Sequence, residues 1–188
     1  MKRIPIIPTV LVLAAVATML ALGIWQLGRA EEKADLLARY EAAAAADADA
    51  EFPLEGDGRE VWFRPSTIDC REVIGIETVA GTAESGQKGW AQRANCSVGR
   101  DAEVLVDLGF SREIEPPKWE GGDVTGVIAP GPRLVANPPV AGLQPLAKPD
   151  PSDLPNNHLA YAGQWFFFAL TALLIYGFAL RSRMKKRD

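Results

Sequence analysis

The chain is poor in the side chains that most chemistry needs: it has one histidine, two cysteines and three methionines. With His158 as the sole imidazole, no Ser/His/Asp or Cys/His nucleophilic set can form in the middle of the chain. Cys70 and Cys96 stand 26 residues apart with no methionine or histidine near either, which is poor spacing for a copper-binding thiolate pair. The glycines do not assemble into a phosphate-cradling loop followed by a helix. No basic stretch is interleaved with aromatics, so nucleic acid is not an expected partner. The acidic side chains are many, but carboxylates spread over an acidic surface are ordinarily solvated. The chain reads as a non-enzyme, and it has no internal repeat.

What is present is apolar length. Leu159 to Leu180 is an uncharged run of 22 residues, about 33 Å as a helix and enough to cross the hydrocarbon core of a bilayer. A second uncharged run, Ile4 to Leu27, is interrupted by Pro5, Pro8, Thr9, Gly23 and Gln26 and can also span. Its start, Lys2-Arg3 before an apolar stretch, also fits a cleavable signal. However, the run is long and no small-x-small site closes it. It leads instead through Arg29 into a stretch with helical composition and charges spaced for i,i+4 pairing, so an uncleaved anchor is expected.

Charge sets the expected orientation, because lysine and arginine near a span stay on the cytoplasmic side. The two tails, 1–3 and 181–188, hold 7 Lys+Arg against one Asp. Residues 28–157 hold 13 Lys+Arg against 23 Asp+Glu, a net of −10. Both termini should face the cytoplasm and the central segment should lie outside. The cysteines then fall in an oxidising, periplasm-like compartment. A Cys70–Cys96 disulfide is the favoured reading; free buried thiols and a metal or redox pair are the alternatives.

The spacing predicts a membrane α+β protein with the following order. A transmembrane helix over 4–27 is followed by an extracytoplasmic helical extension over 28–50. Then come a β-rich domain over 52–144 and a proline-rich linker over 145–157. A second transmembrane helix over 158–180 and a basic tail over 181–188 complete it. Ala, Glu, Lys, Leu and Arg dominate after Arg29, and neither glycine nor proline occurs before Glu51, so the first helix should continue outward to about Ala46. From Phe52 to Pro155 lie 12 of the 14 prolines and 13 of the 17 glycines, which excludes long helices there. Strands are expected at Val73–Val79, Gly89–Val98, Glu103–Phe110 and Asp123–Ile128. They are separated by turn residues that favour antiparallel connections in a small barrel or sandwich. The closely spaced prolines of 145–155 suit a stiff extended linker leading back to the membrane.

The polar residues at the membrane edge are the candidate site. His158, Tyr161, Ala162 and Trp165 follow the i, i+3, i+4, i+7 spacing of one helix face, as do Leu22, Trp25, Gln26 and Arg29 at the outward end of the first span. If the two faces meet, they suit a large planar, apolar ligand with an acidic edge. Its rings would pack on Trp25 and Trp165, Ala162 would leave clearance, and Arg29 would pair with carboxylates. His158 would then ligate a metal at the ligand's centre, as proximal histidines do in haem proteins. A plainer reading stands beside this one. Tryptophan and tyrosine collect at membrane interfaces because their rings are amphipathic, Asn156-Asn157 is a capping sequence, and a lone interfacial histidine is commonly solvated. Gln26 and Gln164 are then expected to hold the two helices together by hydrogen bonds.

Three segments carry a family resemblance. Gly23-Ile24-Trp25-Gln26-Leu27-Gly28-Arg29, followed by Lys33, resembles the Gly-x-Trp-Gln-x-x-Arg pattern of the Surfeit locus protein 1 (Surf/Shy) family, assembly factors for haem-copper cytochrome c oxidase. Asn156, Asn157, His158, Tyr161, Ala162, Trp165 and Phe166 match its long Asn-Asn-His-x-x-Tyr-Ala-x-x-Trp-Phe pattern. Val104 to Phe110 is similar to a segment that commonly reads Leu-Val-Asn-Arg-Gly-Trp, with Asp107-Leu108 in place of the Asn-Arg pair. The resemblance implies haem a binding, with His158 as axial ligand to the haem iron and Tyr161, Trp165, Trp25, Gln26 and Arg29 around it. Delivery would be to oxidase subunit I, with haem a synthase as a further partner, in a bacterial inner membrane with the central domain periplasmic. The alternative role is a scaffold whose outer domain stabilises oxidase assembly intermediates without haem.

Overall fold

The computed structural model describes residues 5–46, 48–99 and 102–185, with the side chain of 185 left out. The basic residues at 1–4 and 186–188, which carry much of the expected orientation, and part of the expected turn at 99–101 lie outside the described residues. The chain forms two compact units. One is made of residues up to Leu36 together with those from Pro155 onward, and the other is Leu37–Leu154.

The first unit is a helix pair. α1 (Ile6–Ala44) is a continuous helix of 39 residues, and α2 (His158–Lys185) has 28. Both are long and apolar enough to cross a membrane, and few of their apolar residues are buried, which separates them from the core helices of a soluble fold. The less exposed positions of the paired stretch include Thr9, Val12, Val16, Met19, Gly23, Gln26 and Ala30 of α1, with Leu22 beside them, and His158, Ala162, Trp165, Ala169, Ala172 and Tyr176 of α2, with Phe166 and Thr171 beside them. Alternating steps of three and four make these the seam of a left-handed, coiled-coil-like pair. Small residues dominate the seam and let the backbones approach closely, as membrane helices require. At Gly23 an added Cβ would lie 2.5 Å from the Phe166 ring, so only glycine admits that ring. Polar bonds fix the register towards one end, where the Thr9 hydroxyl bonds Tyr176 at 2.5 Å, and again towards the other, beside His158.

The second unit is a six-stranded sheet: β1 (Pro65–Cys70), β2 (Glu72–Thr82), β3 (Lys88–Ser97), β4 (Glu103–Ser111), β5 (Gly122–Ala129) and β6 (Arg133–Ala136), in the order β1-β5-β6-β4-β3-β2. The four expected strands are present; three are a little longer than their apolar runs, and β3 keeps the expected length but is shifted by one residue. β1 and β6 were not anticipated. β1 opens on a proline and alternates with polar residues; β6 has four residues between prolines. β6 inserts between β5 and β4 and runs parallel to β4, so the sheet departs from purely antiparallel order at that pair.

β1 and β2 form opposite edges of the sheet, yet Arg71 alone separates them. The edges therefore converge at that end and the sheet rolls on itself, the barrel rather than the sandwich form. Its inner face gathers Ile68, Cys96, Val106, Leu108, Ile128 and Leu134 into one core. Cys70 and Cys96 are bonded and tie β1 to β3 within it. Closing a loop of this length contributes roughly 3 kcal/mol in the chain-entropy account.

On the opposite face, the carboxylate of Asp107 accepts from Arg93 Nε at 2.6 Å and from Arg133 Nε at 2.9 Å, joining β3, β4 and β6. This hydrogen bond, more than any other influence, pushes the Arg93 guanidinium above its usual pKa. The proline-rich segment is pinned at its start: Leu146 bridges Ala83, and the Ala147 amide donates to Thr82 O at 2.9 Å. Prolines offer no N–H, but the residues between them do.

Candidate functional site

The site is built by α2 and the part of α1 up to Leu36, both within the first unit. α1 has no internal proline past its first turns and runs unbroken through Gln26 and Ala30. α2 begins at His158, with the Asn157 carbonyl accepting from the Tyr161 amide at 3.2 Å. His158 Nδ1 lies 2.7 Å from Gln26 Oε1. One turn further along α1, Asn156 Nδ2 donates to the Ala30 carbonyl at 3.4 Å, while Asn156 Oδ1 is buried with no partner among the described residues.

The structure thus brings part of the expected constellation together. Gln26, His158 and the buried Ala162 share the seam, with Gly23 and Phe166 interlocked beside them. Trp165 is half-buried and meets Phe168 edge-on at 6.4 Å. The other candidates point elsewhere: Trp25 is 56% exposed and Tyr161 51%. Arg29 pairs with Glu32 on its own helix, with half of its side chain in the open. Such an exposed pair adds little stability and leaves guanidinium donors available. Gln164 is exposed, and the interhelical bond expected of it is absent among the described residues. The polar link that holds the helices there runs from Gln26 to His158 instead. The contact of Asn156 with Ala30 and the Thr9–Tyr176 bond went unforeseen, because periodicity assigns a face and not a partner.

An amide oxygen only accepts hydrogen bonds, so with Oε1 facing the ring the contact fits the tautomer that has its proton on Nδ1 and leaves the Nε2 lone pair free. An imidazole nitrogen with its lone pair free is a donor suited to the iron of a planar macrocycle. Among the described residues, no three His, Cys, Asp or Glu side chains converge to hold a bare metal ion.

A family model described as the SURF1 family matches residues 13–170, a stretch that contains all three motif segments and the Gln26–His158 pair. The chain belongs to the SURF1 family. That family is known for cytochrome oxidase assembly, and its members are assembly factors rather than catalysts. A search of curated proteins finds no match. SURF1 membership and the two apolar helices together make this a membrane-associated protein.

Proposed function

We propose that the chain holds haem a at the outward ends of its two spans and hands it to subunit I of cytochrome c oxidase during assembly. The observation that carries this reading is the meeting of Gln26 and His158 across 132 residues of sequence, which brings the long Asn-Asn-His motif and the supporting Gly-x-Trp-Gln motif into one place. Haem iron accepts a neutral imidazole nitrogen, and His158 Nε2 is that donor. Gly23 and Ala162 keep the seam thin beside it. Trp25 and Tyr161, directed outward, supply aromatic surface for the edges of a macrocycle. Arg29 supplies donors for an acidic edge. The role is transfer and not chemistry, so the site needs moderate affinity and a cargo that can leave.

In this reading both termini lie in the cytoplasm of a bacterial cell, the spans cross the inner membrane, and the β unit is periplasmic. The partners are subunit I and, upstream, the enzyme that makes haem a. His158→Ala, produced in cells that synthesise haem a and extracted in detergent, should carry severalfold less haem by its optical spectrum. It should insert normally and support less oxidase activity. Unchanged haem content and spectrum in that variant would sink the proposal. Lost oxidase with retained haem would favour the scaffold role of the β unit instead.

A further inference from the structure

We infer that Gln26 is a positioning residue that selects which nitrogen of His158 is presented to the ligand. This rests on the haem-binding reading above, which it deepens. The 2.7 Å contact joins Nδ1 to an amide oxygen. Which imidazole nitrogen carries the proton is set by the hydrogen bond the other one makes. A proton held on Nδ1 leaves Nε2 as the donor. Nε2 is the outer corner of the ring, remote from the backbone, where a flat macrocycle can approach. Nδ1 adjoins the carbon that joins the ring to its own helix, and a macrocycle bound there would collide with the first turn of α2. An imidazole with nothing at Nδ1 favours the opposite tautomer, with its proton on Nε2. The presented nitrogen therefore depends on a residue of the other span.

The choice of an amide has a second effect. Metal-bound histidines commonly give their second N–H to a carboxylate, a carbonyl or water, and such partners are worth about 10- to 100-fold in affinity. A neutral amide fixes the tautomer without drawing the proton as a carboxylate would. This matches a site that must release what it holds. Neither of the two nearby donors is bonded to Nδ1. The Asn156 amide nitrogen is turned to Ala30 O, and Arg29 is turned to Glu32. Gly23, interlocked with Phe166, keeps the helices close enough for Gln26 to reach.

The test separates the tautomer from the cargo. In full-length protein in micelles, labelled with 15N-histidine and free of haem, the single imidazole should show its proton on Nδ1. Gln26→Leu should move it to Nε2, and Gln26→Glu should restore it to Nδ1. Thr9→Val, which removes the Tyr176 bond far along the same seam, should leave the tautomer unchanged; this distinguishes a lost acceptor from a loosened helix pair. In haem a titrations Gln26→Leu should bind about 10- to 100-fold more weakly, and Gln26→Glu at least as tightly as the unaltered chain. A proton on Nε2 in the unaltered protein, or an unmoved proton in Gln26→Leu, overturns the positioning role. The expected tautomers in a protein that takes up no haem a would uphold the positioning and overturn the functional reading on which it was built.

Discussion

The β unit has water on its outside and the helix pair has lipid, and their seams differ accordingly. In the β unit, large apolar side chains such as Leu108, Phe110, Ile128 and Leu134 are fully buried. Each is held there because leaving would expose it to water, at roughly 1.5 to 3 kcal/mol per side chain. In the helix pair the large residues, Leu11, Phe167, Leu170 and Phe178 among them, face outward, and the buried ones are Val16, Ala30, Ala162 and Ala169. Lipid tails are as apolar as leucine, so burial between two spans gains little and association rests on close packing and a few polar bonds. One region is held by the solvent it excludes, the other by fit.

Three substitutions would break or sharpen that contrast. The largest effect belongs to the β unit. Replacing Cys70 and Cys96 together by serine should lower its stability by roughly 3 to 4 kcal/mol. Denaturant unfolding of the whole chain in detergent, followed through Trp62, Trp90 and Trp119, would measure this. The contrast predicts no change in cross-linking between seam positions of α1 and α2; a joint loss of both would show that the two units do not stand independently.

Gly23→Val comes next. Its side chain must displace the Phe166 ring, at a cost of about 1 to 3 kcal/mol for overpacking. Cross-linking between cysteines placed along the seam should fall while the unfolding midpoint of the β unit stays put. Full cross-linking would mean that fit does not govern the pair.

The smallest effect is expected at Tyr40, in the last turns of α1, where the ring packs on Trp62 and Phe63 with its hydroxyl buried and without a partner among the described residues. Burial, ahead of nearby charges, raises its pKa above the ordinary phenol value. The folded state therefore holds the Tyr40 proton more tightly than the unfolded state. Its contribution is complete below about pH 10 and is lost as pH climbs from there toward the folded value. Tyr40→Phe should leave neutral-pH stability unchanged or raise it by up to about 1 kcal/mol. It should also flatten the alkaline decline seen in pH-dependent unfolding. A marked loss at neutral pH would reveal a partner for the hydroxyl.

Much of this architecture was legible in the sequence, for identifiable reasons. The two spans follow from uncharged length, and the four longer strands from apolar runs bounded by glycine and charge. The helix faces follow from spacing alone, which places Gln26 and His158 each on a candidate face. What spacing does not carry is mutual rotation. Trp25 and Tyr161 share their faces with Gln26 and His158, yet both rings are more than half exposed, a rotation about each helix axis that spacing does not fix. β6 escaped notice because four residues gain strand character only when β4 and β5 flank them. The Asp107 cluster is invisible in sequence, since Arg93 and Arg133 reach Asp107 only through the sheet's order.

The pairing of Gln26 with His158 also orders events during synthesis. The amide is made early, near the start of the chain, and the imidazole arrives only after the whole β unit has left the ribosome. A chain that stalls or is cut before α2 has one half of the pair and cannot present the ring in its chosen form. Only a polypeptide that has reached α2 holds both halves of the contact, so the pairing itself marks that synthesis has passed His158.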